Sequence, residues 1–276
     1  MKRYYSARQK LSVGGSGALD VSNVTLPLIA ETQTKNRAAR IRKANELTAL
    51  FNCNKLVPLQ LPLSEINGWI HRLHGAAQRG KLEPLIQQLR AIGGQAHGYR
   101  FDARNEDVTK PVFKEIKDSV GPIDHVIVNV GGNVYFSALK TTARAFRKVC
   151  GMTCFAGFLI GHEPEKYMFP RGKGKIFFTG ASASVRGKTG MRMLSQSLAR
   201  ELVPKNIHIV HLITDAGVDT EFVCERIRSC GKDPQALEPD TLMSPQSVVE
   251  AYWMLYHQTR DGWTHELDLR PFAETW

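Results

Sequence analysis

The chain has 276 residues, 42% of them hydrophobic and 23% charged, with 13 prolines and 23 glycines. That size suits one large α/β domain or two small ones, and the composition excludes collagen-like, wholly disordered and disulfide-scaffold chains. The formal charge is +11, and its location matters: thirteen of the 37 Lys/Arg but only four of the 26 acids fall in residues 1–81.

A basic segment attracts polyanions at low salt. This one carries no zinc-finger spacing, no aromatic-rich strand signature and no basic zipper, so no specific nucleic-acid partner is expected. The five cysteines (Cys53, Cys150, Cys154, Cys224 and Cys230) are an odd number in a long chain, which points to reduced thiols and a cytoplasmic location. MKRYY is not followed by an apolar core, and Gly151–Gly161 is about half a membrane span, so neither export nor a membrane is expected. His71 and His74, like Cys224 and Cys230, lack partners at zinc spacing, and no metal is expected.

Residues 1–70 are weakly patterned. Gly14, Gly15 and Gly17 form a glycine cluster, and the spacing over Asn36–Leu50 predicts a helix; Pro58 and Pro62 interrupt the stretch after it. The pattern sharpens near Lys81. Leu82, Leu85, Ile86, Leu89 and Ile92 recur at helical spacing until Gly93-Gly94, and a strand is predicted next over Ala96–Phe101, ending at Asp102. A helix is predicted over Asp107–Ser119, then a β-branched run over Asp124–Val130 of the kind that makes a buried parallel strand. Thr141–Tyr167 reads as helical, and Lys175–Thr179 as a short strand. Met191, Leu194, Leu198 and Leu202 make a helix face, and Ile207–Thr214 a strand. Ser247–His257 completes the helices and Thr264–Leu269 the strands. Alternating strand and helix predicts crossover units in a doubly wound sheet, whose ligands bind beyond the carboxyl ends of the strands.

Residues 78–276 resemble the short-chain dehydrogenase/reductase family. The resemblance is carried by Asn129–Asn133 (NVGGN), Phe177–Gly187 (FFTGASASVRG) and Trp263–Phe272 (WTHELDLRPF). It implies a Rossmann-like, doubly wound, mostly parallel α/β sheet, with a shortened helix after strand five and an atypical N-terminal third. The domains expected are a basic segment over 1–77 and a dehydrogenase-like domain over 78–276. The resemblance further implies an NAD or NADP cofactor, hydride transfer with a carbonyl or alcohol, and a homo-oligomer built on the long helices. The implied cofactor contacts are Asp102 (adenine), Asn129 and Gly131 (the turn after strand four), and Gly217 and Thr220 (pyrophosphate or nicotinamide). Asp102 serves equally as a turn or helix cap, and Asn129–Gly132 as a plain strand–loop turn. Asp219, Glu221 and residues 224–243 resemble the region that closes over substrate, whose identity the sequence does not give. Thr153 stands where the family often keeps a helix asparagine.

The catalytic residues depart from that family. A serine orients the carbonyl, and a tyrosine moves the proton with its pKa lowered by a lysine four positions later, because a free phenol titrates near 10. Here GASASVRGKTG runs straight into MRMLSQSLAREL, with about ten residues missing between Gly190 and Met193. The serine position falls on Ala181, leaving Ser182 or Ser184 as neighbours; Ser182 is the candidate. Lys188 and Lys205 have no tyrosine four positions earlier. The Thr-Gly-x-x-x-Gly-x-Gly phosphate loop is missing as well, and Gly14–Gly17 has the wrong spacing. Three readings stay open: an NAD(P)-dependent oxidoreductase, a non-catalytic Rossmann-like binding or partner protein with Phe155, Phe158 and Leu159 as an apolar face, and a degenerate reading frame.

Overall fold

The computed structural model describes residues 47–52, 70–73, 83–91, 96–99, 101–131, 141–181 and 187–273. The chain divides into Met1–Lys43 and Ala44–Trp276, and all of these residues lie in the second unit. Among the described residues six strands form one sheet: β1 (Leu47–Asn52), β2 (Ile70–Leu73), β3 (Ile123–Asn129), β4 (Gly174–Gly180), β5 (Ile207–Thr214) and β6 (Glu266–Leu269). Their order is β2-β1-β3-β4-β5-β6, and every neighbouring pair is parallel. The chain leaves β1 toward β2 and returns on the other side at β3, so the winding reverses between β1 and β3. A crevice opens at such a reversal.

Residues 47–50 are therefore strand, where the apolar spacing of Asn36–Leu50 predicted a helix. Leu47, Leu50 and Phe51 fit either period over so short a run, and pairing with β3 settles the choice. β2 occupies a stretch with no clear period. Both strands precede residue 78 and are hydrogen-bonded into the same sheet. The strand predicted over Ala96–Phe101 is absent among the described residues of that stretch. Ala96 is buried there, and its carbonyl accepts from the Arg90 guanidinium at 2.9 Å instead of from a ladder.

Most helices come where the apolar spacing put them; the one at Glu221–Ser229 is not anticipated by it. α1 is Glu83–Ala91 and α2 is Glu106–Ser119, the latter capped by the Asn105 side chain on the Asp107 amide. α2 buries Val112, Phe113 and Ile116. α3 (Ala143–Cys150) runs through a π-helical turn, Gly151–Phe155, into α4 (Ala156–His162), with α5 (Glu165–Met168) beyond it. α6 is Gly187–Leu202, α7 is Glu221–Ser229 and α8 is Pro245–His257.

Alternation along the strands separates two cores. Val126, Val128, Ile176, Phe178, Ile207 and Ile209 face α2, α4 and α6, where Ile116, Ile160, Met191 and Leu198 cover them. Ile127, Phe177, Val210 and Leu212 face the other way, onto Val248, Tyr252 and Leu255 of α8. Strands buried on both faces explain the nearly continuous apolar runs of DHVIVNV and IHIVHLIT. Along α3 and α4, Phe155 and Phe158 are exposed as the apolar-face reading requires, but Leu159 turns inward and is buried.

Candidate functional site

A parallel sheet brings all its carboxyl ends to one edge. Here that edge carries Asn52, Leu73, Asn129, Gly180, Thr214 and Leu269, with Asn52 paired to Asn129 and Gly180 to Ile213. Asn129, half-buried, closes β3, and the buried Gly131 comes two residues on, beside the reversal point. Ser182 lies outside the described residues, as do Ser184 and Gly132.

The other predicted contacts are engaged within the protein. Asp102 accepts from the Arg104 amide at 3.0 Å and is clasped by its guanidinium at 2.6–3.1 Å, and this pairing holds its carboxyl below the usual range. It is a turn residue as well as a ligand candidate, since the Asn105 amide bonds to the Asp102 carbonyl at the entry to α2. Gly217 accepts from the Met243 amide at 2.9 Å, and Val218 bridges to Met243. A Cβ on Gly217 would stand 3.0 Å from the Leu242 side chain, so the glycine permits close packing of this loop. Thr220 caps α7, and its hydroxyl donates to the Val218 carbonyl at 3.3 Å. Asp219 donates its amide to the same Met243 residue's carbonyl, and Asp215 is ion-paired to Arg270 at 2.7 Å. Thr153 sits in the π turn, buried, its hydroxyl donating to the Val149 carbonyl at 2.7 Å. Such turns concentrate at functional sites.

Proton chemistry needs a group poised near neutrality. Burial pushes the phenols of Tyr99, Tyr167 and Tyr252 upward, away from that range. Tyr252 also sits on the α8 side of the sheet, where its hydroxyl shares a 2.5 Å hydrogen bond with Thr179. On the α6 side lies a group that tyrosine–lysine spacing does not reveal. Lys188, in the first turn of α6, is buried and donates to the Thr179 carbonyl at 2.6 Å, and burial pushes its pKa down to about 8. Its sequence signal is only a lysine at a glycine-bounded helix start, with nothing to show that the side chain folds inward.

Beside it, His211 of β5 is buried against Gly180, where any Cβ would overlap the imidazole. His211 Nδ1 lies 3.3 Å from Glu266 Oε2, and Glu266 is held by Arg192 at 2.5 and 2.8 Å. Desolvation lowers the His211 pKa, with Glu266 opposing, so the ring is kept neutral. Its Nε2 has no hydrogen-bond partner among the described residues.

The family profile described as short chain dehydrogenase matches residues 68–229, more than half of the chain. The chain belongs to the short-chain dehydrogenase family. The match begins about ten residues before the border at 78 that the sequence motifs suggested, and takes in β2. A crystallised short-chain dehydrogenase from Rhodopseudomonas palustris is 34% identical, with a TM-score of 0.65 over 83% of this chain and 99% of that one. The 2-dehydro-3-deoxy-D-gluconate 5-dehydrogenase of Formosa agariphila is 27% identical over 149 residues, which span 50% of this chain and only 56% of that enzyme. NAD+-bound xylitol dehydrogenase shares the fold at a TM-score of 0.71 and 16% identity. The chain thus has family and structural homology to NAD(P)-binding oxidoreductases, and among the described residues no helix is long and apolar enough to cross a membrane.

The sequence after β1 lacks the glycines of the family's cofactor loop. β1 ends at Asn52, which assigns the pyrophosphate loop to the segment immediately after it, CNKLVPLQLPLSEING, whose first glycine is Gly68. Glycines are what let successive amides approach a pyrophosphate closely in this family. The cluster at Gly14–Gly17 precedes β1, whereas a phosphate loop must come after it.

Proposed function

We propose that this chain is a short-chain dehydrogenase/reductase by descent and architecture in which the family's NAD(P)-dependent hydride transfer is lost, leaving a Rossmann-like binding or partner protein. The observation that carries the reading is the edge beyond β4. Ala181 stands at the serine position, α6 runs unbroken from Gly187 through Gly190 to Leu202, and no tyrosine lies between Tyr167 and Tyr252. Among the described residues, a carbonyl oxygen bound there meets neither an orienting serine at Ala181 nor a phenol made acidic by a nearby cation. Ser182 is the candidate hydroxyl for polar contact with a ligand, and alone it supplies no proton relay.

The cofactor-side contacts, in this reading, are remnants. Asn129 and Gly131 keep a turn where a backbone can approach a ligand, while Asp102, Gly217 and Thr220 serve the packing of the loops that hold them. The loss of about ten residues ahead of Met193 shortens the helix after the fifth family strand. The exposed Phe155 and Phe158 then supply an apolar face for a second copy of the chain.

The test is turnover. NADH or NADPH absorbance is followed with a panel of aldehydes, ketones and sugar acids, alongside a circular-dichroism check that the sample is folded. No oxidation above the no-enzyme rate is expected. Steady turnover that disappears on Lys188→Met or Ser182→Ala would overturn the reading and name the residue responsible.

A further inference from the structure

β6 is held at its entry by side chains more than by burial. The strand has four residues, none of them fully buried, and β5 is its one strand partner among the described residues. Two imidazoles fasten residues 264 and 265 to β5. His208 Nε2 lies 2.9 Å from the Thr264 carbonyl, and His265 Nδ1 lies 3.2 Å from the Ile209 carbonyl. A carbonyl only accepts, so each of these nitrogens donates, and in a neutral ring the other nitrogen is left as a lone pair. Those other nitrogens, His208 Nδ1 and His265 Nε2, are buried with no hydrogen-bond partner among the described residues. The same entry is tied by the His211 amide to the His265 carbonyl at 2.7 Å and by Gln258 to Thr264 at 2.7 and 2.8 Å. Trp263 stacks flat on the His208 ring at 4.6 Å and covers it.

A proton added at His208 Nδ1 creates an N–H with no acceptor, in a layer that offers no counter-charge. β3 brings His125, whose buried Nε2 also has no partner among the described residues, and β4 brings the Lys175 ammonium. α8 brings Tyr252, Tyr256 and His257; its one acid, Glu250, is exposed and bonded to Gln246. The turn before β6 carries Arg260 and Asp261, both exposed, and Asp268 of β6 is exposed and paired to Arg270. Glu266 faces the other side of the sheet, where Arg192 and His211 hold it. Desolvation, opposed by the Thr264 bond and reinforced by Lys175, pushes the His208 pKa down to about 4.

We propose that the two imidazoles form an acid-released latch: β6 and residues 259–265 before it stay on the sheet while His208 is neutral, and come off β5 as a local unit when His208 takes a proton. Release frees the charged ring from under Trp263 into water and bares the outer edge of β5 over His211–Thr214. A short edge strand with little burial is the part of a sheet that opens at least cost. The inference does not depend on whether NAD(P)-linked turnover is lost.

The test is hydrogen exchange of the full chain at pH 7 and pH 5, read by peptide mass spectrometry as protection relative to the intrinsic rate at each pH. An imidazole that titrates near 4 when closed and near 6.5 when open favours opening by about tenfold or more at pH 5 over pH 7. Peptides over Trp263–Leu269 are expected to lose protection by that factor, while β3 and β4 peptides lose less. In His208→Gln the amide still donates to the Thr264 carbonyl but does not titrate, so the β6 peptides are expected to keep nearly the same protection at both pH values. A loss at β6 that only matches the loss at β3 and β4, or no loss at β6, overturns the proposal, as does an undiminished loss in the variant. The comparison of peptides within the wild-type chain decides the matter even if the variant fails to fold.

Discussion

Lys188 has an energetic consequence that can be measured apart from any reaction. Its pKa is lowered in the folded chain, so the unfolded chain binds more protons between about pH 8 and 10.5. Stability therefore rises as pH increases across that window, by about 3 kcal/mol in all, and the penalty is fully present below pH 8. Lys188→Met removes the buried charge and forfeits one hydrogen bond worth about 1 kcal/mol. Urea unfolding at neutral pH is expected to show the variant more stable by about 2 kcal/mol, without the rise in stability that Lys188 gives the wild type from pH 8 to 10.5. A destabilised variant with an unchanged pH profile would mean that the ammonium is well solvated. Lys188, His211 and Glu266 illustrate what one sequence conceals. They are separated by 23 and 55 positions in the chain, and only the α6–β5–β6 packing makes them neighbours.

Between elements, the sheet brings together groups that no local pattern reveals. His125, Lys175 and His208 occupy one cross-strand row on β3, β4 and β5, all facing α8. Lys175 donates to the Tyr256 carbonyl and lies 3.7 Å from the centre of that ring, while His208 stacks on Trp263 at 4.6 Å. Burial pushes the His125 pKa well below its ordinary value and that of His208 to about 4. Both rings are neutral in the fold and charge only at a cost beside Lys175. The unfolded chain takes up their protons below pH 6.5, so stability falls as the solution is acidified from there toward 4. Thermal unfolding is expected to show the midpoint dropping steadily over that interval, and His208→Gln to make the drop shallower. An unchanged slope in the variant would remove His208 from the account.

The helix–sheet contacts are as demanding. A Cβ on Gly161 of α4 would stand 2.5 Å from Phe178 Cζ on β4, in a fully buried layer. Gly161→Ala is expected to cost about 1–3 kcal/mol by overpacking, read from chemical denaturation. A neutral result would show that α4 can lift from the sheet freely.

For the molecule as a whole, the sequence is most legible where one element carries its own period. α2, β3, β5 and α8 lie within a residue or two of where amphipathic spacing and β-branched runs put them. β1 and β2 are illegible because four to six residues hold too little periodicity to separate strand from helix, and their partners lie up to 77 positions away, as with Asn52 and Asn129. Ala96–Tyr99 fails in the opposite sense, since an alternating stretch is a strand only if a neighbour accepts it. The candidate site divides likewise. Asn129 and Gly131 are readable from a strand running into glycines, whereas the inward turn of Lys188 and the engagement of Asp102, Gly217 and Thr220 by other residues require the fold. The position of β1 also decides where a dinucleotide would have to sit: the segment after Asn52, and not Gly14–Gly17, is where phosphate-binding amides belong.

The proposed loss of the cofactor cradle is tested most directly by titrating the folded full chain with NADH and with NADPH in a calorimeter. With no glycine between Asn52 and Gly68 to let backbone amides close on a pyrophosphate, neither nucleotide is expected to give a saturable heat at micromolar concentration. A one-to-one isotherm in the micromolar range would show that this edge still holds a dinucleotide and would contradict the account.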